Sequence, residues 1–161
     1  MKVIYPGSFD PLTNGHLDII KRCSEKFDEV VIAVLNNTKK QYVFSVTERM
    51  ELIREATKDL KNIEVDHFKG LLTEYAKKKN CSNIIRGLRA VSDFEYEMQM
   101  ALVNRKVYPS LETYFMVSSS KVSFLSSSIV KEIASLNGDI SCFVPGVVEE
   151  ALKEKFKGGY K

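Results

Sequence analysis

Val30-Val31-Ile32-Ala33-Val34-Leu35 is an unbroken aliphatic run, and it is the stretch of sequence that decides the fold. A strand with one face in water alternates apolar and polar residues, whereas a strand covered on both faces reads as a continuous apolar run. We therefore predict that residues 30–35 form an inner strand of a parallel sheet. The run is far too short to cross a bilayer as a helix, which takes about 20 residues.

Further apolar runs and helical repeats alternate on both sides of this strand. Four more strands are predicted at 3–5, 63–68, 83–85 and 112–117, and six helices at 16–27, 45–60, 71–79, 92–107, 126–136 and 147–157. Ser-x-x-Glu patterns starting at Ser45 and Ser92 predict capping boxes at two helix starts. This order predicts an α/β fold: a Rossmann-like, doubly wound, five-stranded parallel sheet with helices on both faces. It forms a single domain over residues 1–157, and 158–161 are expected to be a flexible tail.

The composition limits the classes of function. The 24 Lys and Arg against 21 Asp and Glu leave a net charge of +3, which is too mild to indicate nucleic-acid binding. The first residues carry two prolines and no long apolar stretch, so no signal peptide is predicted and no membrane association is expected. Three widely spaced cysteines match neither a zinc site nor a disulfide framework, and we expect buried free thiols in a cytoplasmic protein.

Ligands of such sheets bind beyond the carboxyl ends of the strands, where the strand order reverses. The loops expected there are 6–15, 36–44, 69–72, 86–91 and 118–127, and together they contain several lysines and arginines and a serine cluster, with His16 directly after the first loop. This set of side chains indicates a phosphate site. Neither the Gly-x-Gly-x-x-Gly fingerprint nor a Walker A motif is present, which argues against a nicotinamide dehydrogenase and a P-loop ATPase.

Thr13-Asn14-Gly15-His16 lies where the first helix should begin. A helix N-terminus offers unpaired N–H groups and a partial positive charge, which attract phosphate. Gly15 permits a close approach of a ligand to the backbone. His16 then projects from the first turn, and we expect its side chain to point into the ligand cleft. A histidine near a helix start is more often structural than catalytic, so this feature alone leaves both roles open.

Three segments carry a resemblance to a known family. Pro6 to Pro11 followed by Thr13 to His16 resembles the first signature of the class I nucleotidyltransferase superfamily, with its Thr/His-x-Gly-His motif. Ser123 to Lys131 is similar to the second signature, with Leu125 in place of the usual Ile. Residues 86–99 are more specific and resemble the bacterial phosphopantetheine adenylyltransferases. The resemblance extends over Met1 to about Phe156, and it implies transfer of the adenylyl group of ATP to 4′-phosphopantetheine.

The resemblance also implies residue roles. His16 is expected to stabilise the transition state, and Lys40 and Arg89 are expected to be the other catalytic residues. The residues implied to bind ATP are Ser8, Phe9, His16, Gly87, Leu88, Arg89, Glu97, Val122, Ser123, Phe124, Leu125, Ser126, Ser127 and Ser128.

Ser8, Lys40, Leu72 and Arg86 are implied to bind the acceptor substrate. Two of these assignments keep an alternative. Ungapped spacing favours Lys40 as the active-site lysine, but Lys39 is adjacent, and the following Gln41-Tyr42 departs from the usual proline. Leu72 either touches the pantetheine arm or is a plain core residue.

The expected reaction needs neither a general base nor a covalent intermediate, because the attacking phosphate is already anionic. Positioning and electrostatic stabilisation would supply the catalysis. Mg²⁺ is the expected cofactor, and no carboxylate cage is apparent in the sequence, so the ion would be held mainly by ATP phosphates and water. The expected products are dephospho-coenzyme A and pyrophosphate, with coenzyme A as a further feedback ligand.

Two other functions share part of the pattern. Another nucleotidyltransferase of the superfamily, acting on nicotinamide mononucleotide or a small phosphoalcohol, would keep the first signature and the serine segment. A nucleotide-binding module without turnover would keep the fold. The resemblance further implies a homohexamer built as a dimer of trimers, with the helix at 92–107 as a candidate subunit face.

Overall fold

A computed structural model describes residues 1–37, 40–89 and 91–157, without the side chains of Val91 and Ser92. The strands are β1 (Lys2–Gly7), β2 (Glu29–Leu35), β3 (Ile63–Phe68), β4 (Asn83–Leu88) and β5 (Glu112–Val117). The helices are α1 (Asn14–Lys26), α2 (Val46–Ala56), α3 (Leu72–Lys78), α4 (Val91–Val107), α5 (Ser127–Ser135) and α6 (Gly146–Phe156).

The five strands form one parallel sheet in the order β3-β2-β1-β4-β5. The chain moves outward from β1 to β3, then returns to the other side of β1 through β4. The strand order therefore reverses between β1 and β4, and a crevice is expected at their carboxyl ends. The predicted Rossmann-like fold class is confirmed.

The aliphatic sequence of β2 is explained by its position between two hydrophobic clusters. Val30, Ile32 and Val34 face one hydrophobic cluster, to which α1, α2, α5 and α6 contribute. Val31 and Ala33 face a second cluster, to which α3 contributes Tyr75 and Ala76. Successive side chains of a strand point to opposite faces, so a strand that is covered on both sides has no position left for a polar residue.

Several element bounds differ from the predictions. Strands β1 and β4 continue to Gly7 and Leu88, so Arg86 lies within a strand and not in the loop after it. The capping box at Ser45 is present, but α2 ends at Ala56 and not near residue 60, because the chain leaves the helix at Thr57 through a turn in which the Leu60 N–H donates to the Thr57 carbonyl. Helix α4 begins at Val91, which places Ser92 inside the helix and not at its N-cap.

The cysteines and the surface complete the description. All three cysteines are free thiols; Cys23 and Cys81 are buried, but Cys142 is exposed, since it lies in the loop before α6 and not on a core-facing element. None of the helices in the described ranges is long and apolar enough to cross a membrane. The expected tail, 158–161, lies outside the described residues.

Candidate active site

A cleft of about 520 Å³ opens beyond the carboxyl ends of β1 and β4. Its walls come from the end of β1 and the loop after it, the start of α1, the end of β4, the first half of α4, and the segment that leads into α5. The lining residues are Tyr5, Pro6, Gly7, Ser8, Phe9, Thr13, Gly15, His16, Ile19, Arg86, Gly87, Arg89, Asp93, Tyr96, Glu97, Ser118, Leu125, Ser126, Ser127 and Ser128.

The first loop is held against the floor of this cleft by Phe9. Phe9 has a φ of 48°, a left-handed conformation that is uncommon outside glycine, and its side chain is only 2% exposed. The ring lies edge-on to Tyr5 and to His16, with centroids 5.5 Å and 5.1 Å away. A Cβ at Gly7 would lie 2.9 Å from this ring, so glycine is required there for Phe9 to pack.

His16 is the third residue of α1, and its ring closes a capping box with Thr13. The Thr13 backbone N–H donates to His16 Nδ1 across 3.1 Å, and the His16 N–H donates to Thr13 Oγ1. Because Nδ1 accepts a hydrogen bond, the proton of the neutral imidazole resides on Nε2. No acceptor for Nε2 is found among the described residues, so this N–H remains available to a ligand in the cleft.

The surroundings of His16 keep its imidazole neutral. Burial, followed by the nearby positive charges of Arg89 and Arg86, lowers the pKa of His16 to about 4. At neutral pH the ring is therefore a hydrogen-bond donor through Nε2 and carries no charge. It can donate to an anionic oxygen, but it cannot supply a proton as an imidazolium acid would.

Arg86 projects from β4 and makes a forked ion pair with Glu97 of α4. Its Nε donates to Glu97 Oε2 at 2.6 Å, Nη2 donates to Oε1, and Nη1 donates to the Pro6 carbonyl at 3.0 Å. Burial alone would lower the pKa of Arg86, but the Glu97 carboxylate outweighs it and raises that pKa. Glu97 is thus engaged with Arg86, so an incoming phosphate would meet a guanidinium whose plane is already fixed.

Arg89 links two walls of the cleft. Its Nε donates to Asp93 Oδ2 at 3.1 Å, and Nη1 reaches across to the Leu125 carbonyl at 3.1 Å. The Arg89 backbone N–H donates to the same carboxylate. The side chain is partly exposed and lies beside the serine segment.

The three serines at the start of α5 have different hydrogen bonds. Ser126 is the N-cap, and its oxygen accepts the Ile129 N–H at 3.2 Å, which leaves the hydroxyl proton free to donate. Ser127 donates to the Pro11 carbonyl at 2.8 Å, so its proton is already used. Ser128 is exposed and has no hydrogen-bond partner among the described residues. Ser126 and Ser128 are therefore the two hydroxyls that can donate to a phosphate here.

Two helix N-termini converge on the cleft. Gly15 and His16 belong to the first turn of α1, and Ser127 and Ser128 belong to the first turn of α5. A Cβ at Gly15 would lie 3.4 Å from the Val122 carbonyl oxygen, so the small residue allows the two segments to approach. The convergence of both dipoles and two arginines makes this end of the sheet suited to an anionic ligand.

Six of the predicted site residues do not line the cleft. Leu72 packs against the second hydrophobic cluster, and Leu88 is buried at the end of β4. Phe124 is 61% exposed and packs edge-on against Phe143. Lys40 is exposed, with Nζ 5.7 Å from the centroid of the Tyr42 ring. The other two, Val122 and Ser123, lie in the turn before α5. Lys39, the alternative to Lys40, lies outside the described residues.

Two buried charged residues behind the cleft were not singled out from the sequence. Asp10 is 2% exposed and Arg49 is 1% exposed. Asp10 stands within the first signature, which is the one signal that pointed to it. A charged residue such as Arg49 in a predicted helix is expected to face solvent. The fold shows instead that its guanidinium is buried and donates to the Ser8 and Leu35 carbonyls.

Comparison with known proteins agrees with this geometry. The cytidylyltransferase-like family model matches residues 4–133. The phosphopantetheine adenylyltransferase of Caldanaerobacter subterraneus subsp. tengcongensis is 62% identical over 154 residues, which cover 96% of each chain. The chain belongs to the phosphopantetheine adenylyltransferase family. That membership confirms the resemblance inferred from residues 86–99 and from the two signatures.

A solved structure supports the fold of this phosphopantetheine adenylyltransferase family member. The crystal structure of a protein from Vibrio parahaemolyticus, described as a putative nicotinate-nucleotide adenylyltransferase, superposes with a TM-score of 0.68. The match covers 96% of this chain and 93% of that protein, at 17% sequence identity. At this identity the likeness concerns the fold alone.

Proposed function

We propose that this protein transfers the adenylyl group of ATP to 4′-phosphopantetheine, which gives dephospho-coenzyme A and pyrophosphate. Family membership at 62% identity supports this reading. The structural observation that carries it is the free Nε2–H of His16, which faces a cleft bordered by two arginines and two helix N-termini. Such an arrangement suits a reaction in which negative charge builds on phosphoryl oxygens.

The proposed chemistry is a direct in-line displacement. The acceptor phosphate oxygen attacks the α-phosphorus, the new P–O bond forms, and the bond to the β-phosphate breaks to release pyrophosphate. Arg86, Lys40 and the backbone near Ser8 hold the attacking phosphate. The neutral His16 donates a hydrogen bond from Nε2 to a non-bridging α-oxygen. It keeps this proton throughout, because the N–H of a neutral imidazole is a very weak acid and the displacement needs no proton transfer.

The leaving pyrophosphate would be held on the opposite side. Arg89 and the hydroxyls of Ser126 and Ser128 would contact the β- and γ-phosphates, and the N-terminus of α5 would add its partial positive charge. Leu88, Val122, Ser123 and Phe124 remain proposed nucleotide contacts, and Leu72 remains a proposed contact of the pantetheine arm. Leu88, Val122, Ser123 and Phe124 lie within three residues of cleft-lining residues, so a bound ligand larger than the cleft would reach them. The role of Leu72 rests on the family resemblance alone.

Magnesium would enter with the nucleotide. Within the described ranges, no group of three or more His, Cys, Asp or Glu side chains is placed to hold a metal ion. The two carboxylates that line the cleft, Asp93 and Glu97, are paired with Arg89 and Arg86. We therefore propose MgATP as the substrate, with the ion held mainly by phosphate oxygens and water.

We also propose a homohexamer, supported by the exposed surface of α4. This helix carries apolar side chains all round, and those that are more than a third exposed are Phe94, Tyr96, Met98, Met100, Leu102, Val103 and Val107. A solvent-facing helix normally confines its apolar residues to one stripe. An apolar surface of this extent on one helix indicates a protein interface. Dephospho-coenzyme A and coenzyme A are proposed as product and feedback ligands, and the cytoplasm as the compartment.

One experiment tests the proposed function against its rivals. The protein is incubated with MgATP and with 4′-phosphopantetheine, nicotinamide mononucleotide or phosphocholine, and pyrophosphate release is measured. We expect release with 4′-phosphopantetheine alone, a product of the mass of dephospho-coenzyme A, and loss of turnover with excess EDTA. Release with nicotinamide mononucleotide alone would replace the proposal by the rival acceptor, and nucleotide binding without release would favour a non-catalytic module.

A further inference from the structure

The buried carboxylate of Asp10 joins the loop after β1 to two other segments, the loop between β2 and α2 and helix α5. Oδ1 accepts the Phe44 backbone N–H at 2.9 Å, and Oδ2 accepts the Val43 N–H at 3.0 Å and the ammonium of Lys131 at 3.2 Å. Asp10 is 2% exposed and does not line the cleft. The carboxylate therefore serves protein groups only.

Each partner of Asp10 belongs to a segment with a proposed ligand contact. Val43 and Phe44 follow Lys40 by three and four residues in the loop between β2 and α2. Lys131 lies in α5, one turn beyond the serines that face the cleft. Asp10 itself follows Ser8 and Phe9 directly. One carboxylate thus connects three segments: the loop between β2 and α2 that carries Lys40 (the lysine loop), the loop after β1 (the first loop), and α5, which begins at Ser127 (the serine helix).

Arg49 contacts two of the segments that Asp10 connects, the first loop and the lysine loop. Its Nη1 donates to the carbonyl of Ser8 at 2.7 Å and to that of Leu35 at 3.0 Å. Its guanidinium lies 4.0 Å from the centroid of the Tyr42 ring, which fixes the loop just before Val43. Burial lowers the pKa of Arg49, while Tyr42 and Asp10 act in the opposite direction. Asp10 is thus the carboxylate that faces two buried or half-buried cations.

A carboxylate is the one side chain that satisfies all three donors at once. Asparagine at position 10 would keep one acceptor oxygen but would turn an N–H₂ group toward a backbone N–H or toward the Lys131 ammonium, where it can only repel. The substitution is nearly isosteric, so it disturbs this junction with little change of volume.

We propose that Asp10, through Lys131, is a positioning residue that sets the separation between the lysine loop and the serine helix across the transferring phosphate. The inference rests on the proposed adenylyl transfer, in which the attacking and leaving phosphates are held by these two segments. A displacement of one segment by about 1 Å costs on the order of 100-fold in rate when reacting groups must be aligned. The effect should therefore appear in kcat more than in binding.

The test compares variants of this pair with a matched pair away from the cleft. Asp10→Asn and Lys131→Met break the link, and Lys131→Arg keeps its charge. Asp66→Asn is the control, because Asp66 also combines an ion pair, to Lys79 at 2.6 Å, with neutral hydrogen bonds, including one from Tyr75 at 2.9 Å. Steady-state kinetics are measured well below each melting temperature, with MgATP and 4′-phosphopantetheine, alongside equilibrium ATP binding.

We expect Asp10→Asn and Lys131→Met to lower kcat by about 10- to 100-fold, with ATP affinity changed less than about threefold. Lys131→Arg should restore kcat to within about threefold of wild type. The double variant Asp10→Asn/Lys131→Met should be no slower than the worse single variant, because both remove one link. Asp66→Asn should lose stability without losing kcat. If Asp10→Asn does not fold, Lys131→Met carries the test, since its side chain is partly exposed.

Amide hydrogen exchange gives a readout that does not depend on activity. In Asp10→Asn the Val43 and Phe44 amides should exchange faster than in wild type, and the amides of α5 should also exchange faster. A wild-type protein that releases no pyrophosphate refutes the proposed function. In that case the link between the segments is tested by exchange alone, and an Asp10→Asn protein with unchanged amide exchange in α5 refutes it. If the wild type is active, a folded Asp10→Asn protein with kcat within about twofold of it overturns the inference. So does a failed rescue by Lys131→Arg, or an equal kcat loss in Asp66→Asn.

Discussion

Thr13 donates its backbone N–H to Nδ1 of His16 across 3.1 Å, and this single contact decides which imidazole nitrogen faces the ligand cleft. With Nδ1 as acceptor, the proton of the neutral ring lies on Nε2. The same contact makes His16 part of the cap of α1. The two roles that the sequence left open for His16, a structural one and a catalytic one, are therefore compatible in one side chain.

The depressed pKa of His16 predicts a specific loss of stability in acid. The folded value of about 4 lies below the ordinary value of 6.5, so the unfolded chain takes up a proton that the folded chain refuses. The stabilising contribution is complete above about pH 6.5 and is lost progressively as the pH falls toward 4. Between pH 7.5 and 5.5, wild type should lose about 1.4 kcal/mol more unfolding free energy than His16→Asn, measured by denaturant titration.

The tautomer can be observed directly. The chain has two histidines, so His67→Gln leaves one imidazole for nitrogen-detected NMR. We expect the Nε2–H tautomer without a change of charge from pH 8 to 5.5. Titration near pH 6.5, or an Nδ1–H signal, would contradict the hydrogen bond from Thr13.

Replacement of Arg86 by lysine should weaken acceptor binding by about 10- to 100-fold, although the charge is kept. Lysine cannot reproduce the fork that grips Glu97 and the Pro6 carbonyl, so the cation would lose its fixed orientation. Calorimetry with 4′-phosphopantetheine and with ATP measures the two affinities separately, and ATP should be affected much less. Arg105→Lys, which alters an exposed pair with Glu112, is the matched control. Equal losses for both ligands would remove Arg86 from the acceptor site.

Lys40→Ala should raise the KM for 4′-phosphopantetheine by about tenfold or more, because an ammonium contact to an anionic phosphate is lost. Lys40 extends from a loop whose far end is held by Asp10 and Arg49, which gives its exposed side chain a fixed base. Lys39→Ala is the adjacent control and should change the same KM less. A larger defect in Lys39→Ala would assign the role to Lys39.

The assembly prediction concerns α4. Light scattering should give a particle of six chains of 18.3 kDa each. Leu102 is 62% exposed on this helix, and Leu102→Glu should produce smaller particles, because a charge would be buried in an apolar contact. Leu136 is 76% exposed outside α4, and Leu136→Glu should leave the particle size unchanged. A monomeric wild type at working concentration would exclude the proposed homohexamer.

The sequence predicted individual strands and helices, but it did not predict the contacts between them. Strands β3 and β5 lie at the predicted residues, because apolar runs and their polar boundaries are local signals. The ion pair between Glu97 and Arg86 depends on how α4 packs against β4, and no local sequence pattern encodes that packing. The same limit applies to Asp10, whose three donors come from residues 43, 44 and 131. Family resemblance supplied the predicted site residues, but it did not indicate which of them form hydrogen bonds and ion pairs within the protein.

The last prediction separates the two roles of His16. His16→Ala removes the Nε2–H donor, and loss of one aimed donor to a developing oxyanion costs about 10²–10³-fold in kcat, with a much smaller change in KM. The capping box and the contact with Phe9 predict that the same variant also loses about 1 kcal/mol of unfolding free energy. Thr13→Ala is the matched control: it removes the cap oxygen and lowers stability similarly, but its backbone N–H still orients Nδ1, so most of kcat should remain. Kinetics and thermal melts of both variants decide the matter, since equal kcat losses in the two would mean that His16 acts through the helix cap, and near wild-type turnover in His16→Ala would remove it from the reaction.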